Sequence, residues 1–159
     1  MAQQPIELIL ARQLASRLAV PVLLVDANGD TLFFNEPAEA ILGTPFDEVD
    51  SLSFEERAAF LSPRDLGGQR LAPRDLPGMV AIRERRPSHG IFDISGLDGV
   101  RRPVEATGIP LEGAGGHMLG ALVIMWTAPA AEAAGHNHAV TSATSGASGM
   151  SGPAPAATG

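Results

Sequence analysis

The sequence predicts an α+β domain, and three features of its patterning point there. Two short apolar runs flank an Asn28-Gly29 pair in the first third of the chain. Three longer strand-like runs, separated by glycine-bearing turns, lie between residues 88 and 127. The stretch between them carries helix-capping signals and no strand alternation.

Each element follows from local chemistry. Residues 6–19 follow Pro5 and set Leu8, Leu10, Ala11, Leu14, Ala15 and Leu18 on one broad helical arc, with Arg12, Gln13 and Ser16 opposite; Pro21 ends the helix. The run PVLLVDANGDTLFFN then predicts strand, turn and strand, because Asn and Gly most readily take the positive φ of a tight hairpin. Asn35 is placed to cap a helix over 36–42, with Pro37 in the first turn and Gly43 just past the end. Ser53 and Glu56 have capping-box spacing for a helix over 54–61. Residues 62–75 are loop-like, and the repeat of Pro-Arg-Asp-Leu at 63–66 and 73–76 is too short to be structural. A longer helix is expected from about Leu76 to Arg86, capped by Asp75, with Arg83, Arg85 and Arg86 at its negative end and Pro87 stopping it. SHGIFDI, VRRPVEATGIPL and HMLGALVIMWT then form an antiparallel meander through turns at Asp98-Gly99 and 113–116.

Composition narrows function by exclusion. The chain has 159 residues, 45% of them apolar, enough for one core. Its 11 basic residues are all arginine and stand against 18 acids, a net charge of -7, and aromatics are only 4% with no tyrosine; both argue against nucleic acid as a partner. With no cysteine there is no thiolate nucleophile, disulfide or Cys-ligated zinc. The apolar runs 20–25 and 121–126 are far shorter than the roughly 20 residues of a membrane helix, and the N-terminus lacks a signal-peptide pattern, so a cytoplasmic location without membrane contact is expected. Residues 128–159 are nearly all Ala, Gly, Ser, Thr and Pro, a composition expected to form a disordered tail. The domain boundaries are therefore an N-terminal helix at 1–19, a folded domain at 20–127 and the tail.

Over residues 20–127 the order of motifs resembles a PAS domain. LAVPVLLVDANGDTLFFNEPAEAILG is similar to the family's opening strand pair and short helix. DLGGQRLAPRDLPGMVAIRERRP is similar to its loop and long helix, and GLDGVRRPVEATGIPLEGAGGHMLGALVIMW to its closing strands. The resemblance implies a five-stranded antiparallel sheet with helices on one face, the first and last strands central and adjacent, and a cavity for a small ligand. VPVLLV and ALVIMW are apolar on both faces, whereas a sheet with one wet face alternates. Leaving their outward side chains in water would forgo roughly 1.5–3 kcal/mol each. The N-terminal helix, or that of a second subunit, is therefore expected across the outer face through Leu8, Leu10, Leu14 and Leu18.

Candidate sites are few. A covalent flavin or thioester-linked chromophore needs cysteine, which is absent, and haem needs an axial histidine that the helix around 76–86 lacks. His89 and His117 sit at strand starts beside turns, and His136 and His138 lie in the tail, so no metal site is expected. No G-x-S-x-G elbow occurs, and Asp26 and Asp30 flank a turn, where aspartates bind their own backbone, so no catalytic residue is assigned. Asn35 is read as a structural cap. The walls of the implied cavity are assigned to Leu24, Phe34, Phe60, Met79, Ile82, Phe92 and Val123. The final strand ends in Met125-Trp126-Thr127, where the family commonly has Asp-Ile-Thr leading into an output helix, and only the threonine matches. The expectation is a stand-alone signalling module that is not an enzyme. It would bind a small apolar ligand or a protein partner and dimerise through its N-terminal helix; a non-sensing scaffold with a self-filled core is the alternative.

Overall fold

The computed structural model describes residues 4–49 and 52–128, and the expected tail beyond residue 128 lies outside them. Five strands carry the fold: β1 (Val22–Asp26), β2 (Thr31–Phe34), β3 (Ser88–Ser95), β4 (Arg101–Glu112) and β5 (Met118–Thr127). They form one antiparallel sheet in the order β2-β1-β5-β4-β3, so the first and last strands are indeed adjacent and central. Four helices accompany them: α1 (Ile6–Arg17), α2 (Glu36–Leu42), α3 (Phe54–Leu61) and α4 (Pro77–Glu84).

Strand parity divides the sheet into two apolar faces. Leu23 and Val25 of β1 face the same side as Val104 and Ala106 of β4, Val123 and Met125 of β5, and Phe92 and Ile94 of β3. Ala38, Ile41 and Leu42 of α2 and Leu61 of α3 complete this core. Helix α4 comes close enough to β4 that a Cβ on Gly108 would lie 2.4 Å from the Pro77 carbonyl oxygen, so only a bare backbone fits there. On the opposite face, Val22 and Leu24 are almost fully buried and stand opposite Ile124 and Leu122. The buried Leu8 and Ala15 belong to α1, which packs on β1 and β2 with Arg12 over the ring of Phe33. Phe33 is the cross-strand partner of Leu24, which puts α1 on the outer face over β1 and β2; of the expected contact residues Leu8 is buried there, whereas Leu10 and Leu14 are exposed and Arg12, expected on the opposite side, faces the sheet.

Asn35 holds these layers together. Its Oδ1 accepts from Ala38 N (3.2 Å), the expected helix cap, and also from Val22 N (2.9 Å) of β1. Its Nδ2 donates to the carbonyls of Ala15 (3.0 Å), Val20 (2.8 Å) and, more distantly, Leu18 (3.3 Å), satisfying the orphan acceptors where α1 ends. The capping box of Ser53 and Glu56 is present in both directions.

Several local expectations are corrected. Helix α1 ends at Arg17 and α4 at Glu84, each two residues early; Arg85 takes a left-handed φ of 55° as the α4 cap. Asp75 does not cap α4. It lies in a short 3-10 turn, and the cap is Leu76, because the residue before a proline is driven to extended backbone and Pro77 occupies the first helical position. In the first hairpin Gly29 alone has positive φ (89°): Gly29 N donates to Asp26 O and Asp26 N to Asp30 O, a three-residue loop rather than a two-residue turn. Asp26 binds its own turn as expected, but Asp30 reaches across to Phe54 N (2.6 Å) at the start of α3. Ala128, placed in the tail by composition, still donates to the Pro103 carbonyl.

Replacing Asn35 with alanine should lower unfolding free energy by on the order of 3 kcal/mol, because several buried backbone groups lose their partner at once. Asn35→Asp keeps the cap but faces carbonyl oxygens with a carboxylate, and should be no better tolerated. A loss below about 0.5 kcal/mol in urea titration of the alanine variant would contradict this role. Gly108→Ala should cost about 1–3 kcal/mol through displacement of α4; an unchanged melting temperature would show that the contact yields freely.

Candidate functional site

Between the core face of the sheet and helices α3 and α4 lies a cavity of about 70 Å³. Every strand except β2 contributes to its wall: Leu23 and Val25 from β1, Phe92 and Ile94 from β3, Val104 and Ala106 from β4, Val123 and Met125 from β5. The helical side is made by Phe54, Arg57 and Leu61 of α3 and by Leu76, Pro77, Gly78 and Met79 at the start of α4. A wider groove of about 470 Å³ runs on the far side of α3, against residues 70–74, and shares Phe54 and Pro63 with the cavity.

Of the seven expected wall residues, the structure brings Met79, Phe92 and Val123 to the cavity. Leu24 is buried on the other face of the sheet, because its neighbours Leu23 and Val25 take the inward positions. Phe34 is on the core face but borders a separate void of about 10 Å³, at the lower limit for a single water. Ile82 packs against the core without reaching the cavity. Phe60 is 56% exposed on the side of α3 turned away.

Arg57 is the residue that the sequence reading missed. Among the described residues it is the one charged side chain of the wall, and it is buried, 9% exposed. Its guanidinium donates to Thr31 Oγ1 and to the Gly29 carbonyl (2.7 Å), and lies 5.6 Å from the Phe54 ring centroid. Among the described residues it makes no ion pair. Burial draws its pKa down to about 10, and the more distant charges of Asp30 and Asp26 act the other way. It therefore remains a cation at neutral pH. The signal was available: Phe54, Arg57, Ala58 and Leu61 share one helical face, whereas Phe60 does not.

On the outer face, His89 and Trp126 converge on Glu105. Trp126 Nε1 donates to Glu105 Oε2 (2.9 Å), His89 Nε2 lies 3.1 Å from Oε1, and His89 Nδ1 is 2.9 Å from Thr107 Oγ1. His117 is exposed in the β4–β5 turn, and His136 and His138 lie outside the described residues. No cluster of three metal-ligating side chains occurs among the described residues, and no helix there is long and apolar enough to cross a membrane.

Phe92→Ala should destabilise the domain by about 3 kcal/mol or more, since the void it leaves adjoins one already present. Phe60→Ser should stay within about 0.5 kcal/mol of the parent. Equal losses from the two variants in chemical denaturation would contradict this assignment of faces.

No family model matches the sequence, and no curated protein matches it either. Solved structures do. The PAS domain of BvgS from Bordetella pertussis superimposes with a TM-score of 0.53 at 22% identity, covering 79% of this chain and 90% of that one. A PAS domain from a two-component sensor histidine kinase gives 0.53 at 14% identity, covering 77% and 97%. A light-oxygen-voltage domain studied with a flavin analogue gives 0.58 at 15% identity, covering 80% and 89%. The strand order, the helical layer over one face and these superpositions agree: this chain has a PAS-like fold.

Proposed function

We propose that the chain is a sensory signalling module that holds a small molecule in the α3–α4 cavity and passes its state to a second copy of itself or to a partner protein. The observation that carries this reading is the apolar cavity, lined by four strands and by residues of α2, α3 and α4 and bordered by one buried cation among the described residues. A PAS-like fold shared with the PAS domain of a sensor histidine kinase supports it. The proposed transmitting surface is α1 with the part of the outer face beside it. Ile6, Leu10 and Leu14 form a stripe at four-residue spacing that points away from the sheet, and Leu10 and Leu14 are each 57% exposed. Leu8 is spent on packing within the chain and Leu18 is half-buried, so of the four leucines assigned to helix packing, Leu10 and Leu14 are the ones offered to a partner. Trp126, 40% exposed, extends the apolar surface on β5.

The size of the cavity favours a second reading. Ligand pockets usually span roughly 300–1,000 Å³, and a void of about 70 Å³ also suits a scaffold whose core is filled by its own side chains. Native mass spectrometry of the purified protein separates the two. A retained small molecule on a dimer is the expected result; a ligand-free dimer supports the scaffold, and a ligand-free monomer overturns both. Leu10→Arg should convert the dimer to monomer without lowering the melting temperature, as a side chain already in water carries little of the fold.

A further inference from the structure

Burial of a cation in an apolar wall sets a chemical requirement on whatever enters the cavity. An arginine guanidinium carries five N–H donors, and the structure accounts for two partners at Arg57, Thr31 Oγ1 and the Gly29 carbonyl. Both are neutral, and among the described residues no carboxylate lies within ion-pair distance. A buried charge paired only with neutral groups gains more from an anion than an exposed one does, because little water competes. The other wall residues are apolar, among them Met79, Phe92, Val123 and Met125. The cavity thus offers one cationic group in an otherwise apolar wall.

We infer that the cavity takes a short-chain aliphatic carboxylate, its carboxylate on the Arg57 guanidinium and its hydrocarbon tail among Met79, Phe92, Val123 and Met125. The inference rests on reading the cavity as a sensory site. Size fixes the length: about 70 Å³ accommodates roughly five water-sized groups, which matches an acid of three or four carbons and excludes a fatty acid or a flavin unless the walls move. Planar, forked guanidinium geometry favours a carboxylate over a spherical anion, since both oxygens can be met at once. Phe54, which borders both the cavity and the outer groove, stands where such a ligand would enter.

Butyrate and its uncharged counterpart butan-1-ol test this in the full chain at pH 7 and constant ionic strength, by titration followed through backbone amide NMR shifts. The expected result is saturable binding of butyrate, with shifts at Gly29, Phe54, Met79 and Val123, at least tenfold tighter than butan-1-ol. Arg57→Met should abolish that tenfold preference while leaving any alcohol binding intact. Equal affinity of the two probes for the parent protein would overturn the inference and leave an apolar sensory site standing; this comparison needs no variant, so it holds even if Arg57→Met does not fold. A preference that survives in a folded Arg57→Met also overturns it. Absence of saturable binding by either probe at these amides would overturn the inference together with the small-molecule reading of the cavity.

Discussion

The structure depends on the saturation of one amide. Asn35 closes β2 and opens α2, and from that junction its Oδ1 serves an N–H of β1 and an N–H of α2 while its Nδ2 serves the carbonyls where α1 runs out. No other side chain could do the same. Serine lacks the second donor, aspartate lacks donors altogether, and glutamine carries an extra methylene into a site 2% exposed. The consequence is that both faces of the sheet are tied to a single position. Helix α1, which has few buried side chains of its own, is held by hydrogen bonds at its C-terminal end as much as by Leu8 and Ala15.

A second polar knot forms at the other end of β1. Gly29, in its positive-φ position, sits so close to Met79 and Phe54 that any Cβ would collide with them, and its carbonyl is an acceptor for Arg57. Asp30 takes the Phe54 N–H, and Thr31 takes a second Arg57 donor. The turn, α3 and the start of α4 are therefore built around each other. This explains how a domain can carry a buried cation with no ion-pair partner among the described residues: the charge is solvated by a fixed set of backbone and hydroxyl dipoles, with two aspartates near enough to offset part of the desolvation cost.

Much of the fold was legible in the sequence because its signals were local. The caps at Asn35 and Ser53, the breaks at Pro21 and Pro87 and the glycine turns each act within a few residues, and element order then constrains topology. The doubly apolar β1 is covered on both faces as its pattern required, whereas the outward residues of β5, Leu122, Ile124 and Trp126, are only partly buried or exposed. The cavity was less legible, for two physical reasons. Strand parity shifts by a whole face with one residue of register, so Leu24 and Leu23 exchange roles unless the pairing with β5 is known. The second reason was avoidable: treating α3 as a source of large apolar residues selected Phe60, whereas helical periodicity puts Arg57 with Phe54 and Leu61 on the buried side. A charged residue on an apolar face was the informative anomaly.

The two polar knots also lie in one continuous piece of chain. Arg57 bonds Gly29 and Thr31, Thr31 begins β2, and three residues later β2 ends at Phe34, next to Asn35, which holds the end of α1. The hydrogen bonds of Arg57 are made to the β1–β2 hairpin, and β2 runs from that contact to Asn35, which holds the end of the helix on the outer face. Only β2 of this hairpin lies at the sheet's edge, paired on one side, whereas β1 is held between β2 and β5. The Arg57 contact on the inner side and the end of α1 on the outer side are thus joined by the four residues of β2 and the amide of Asn35.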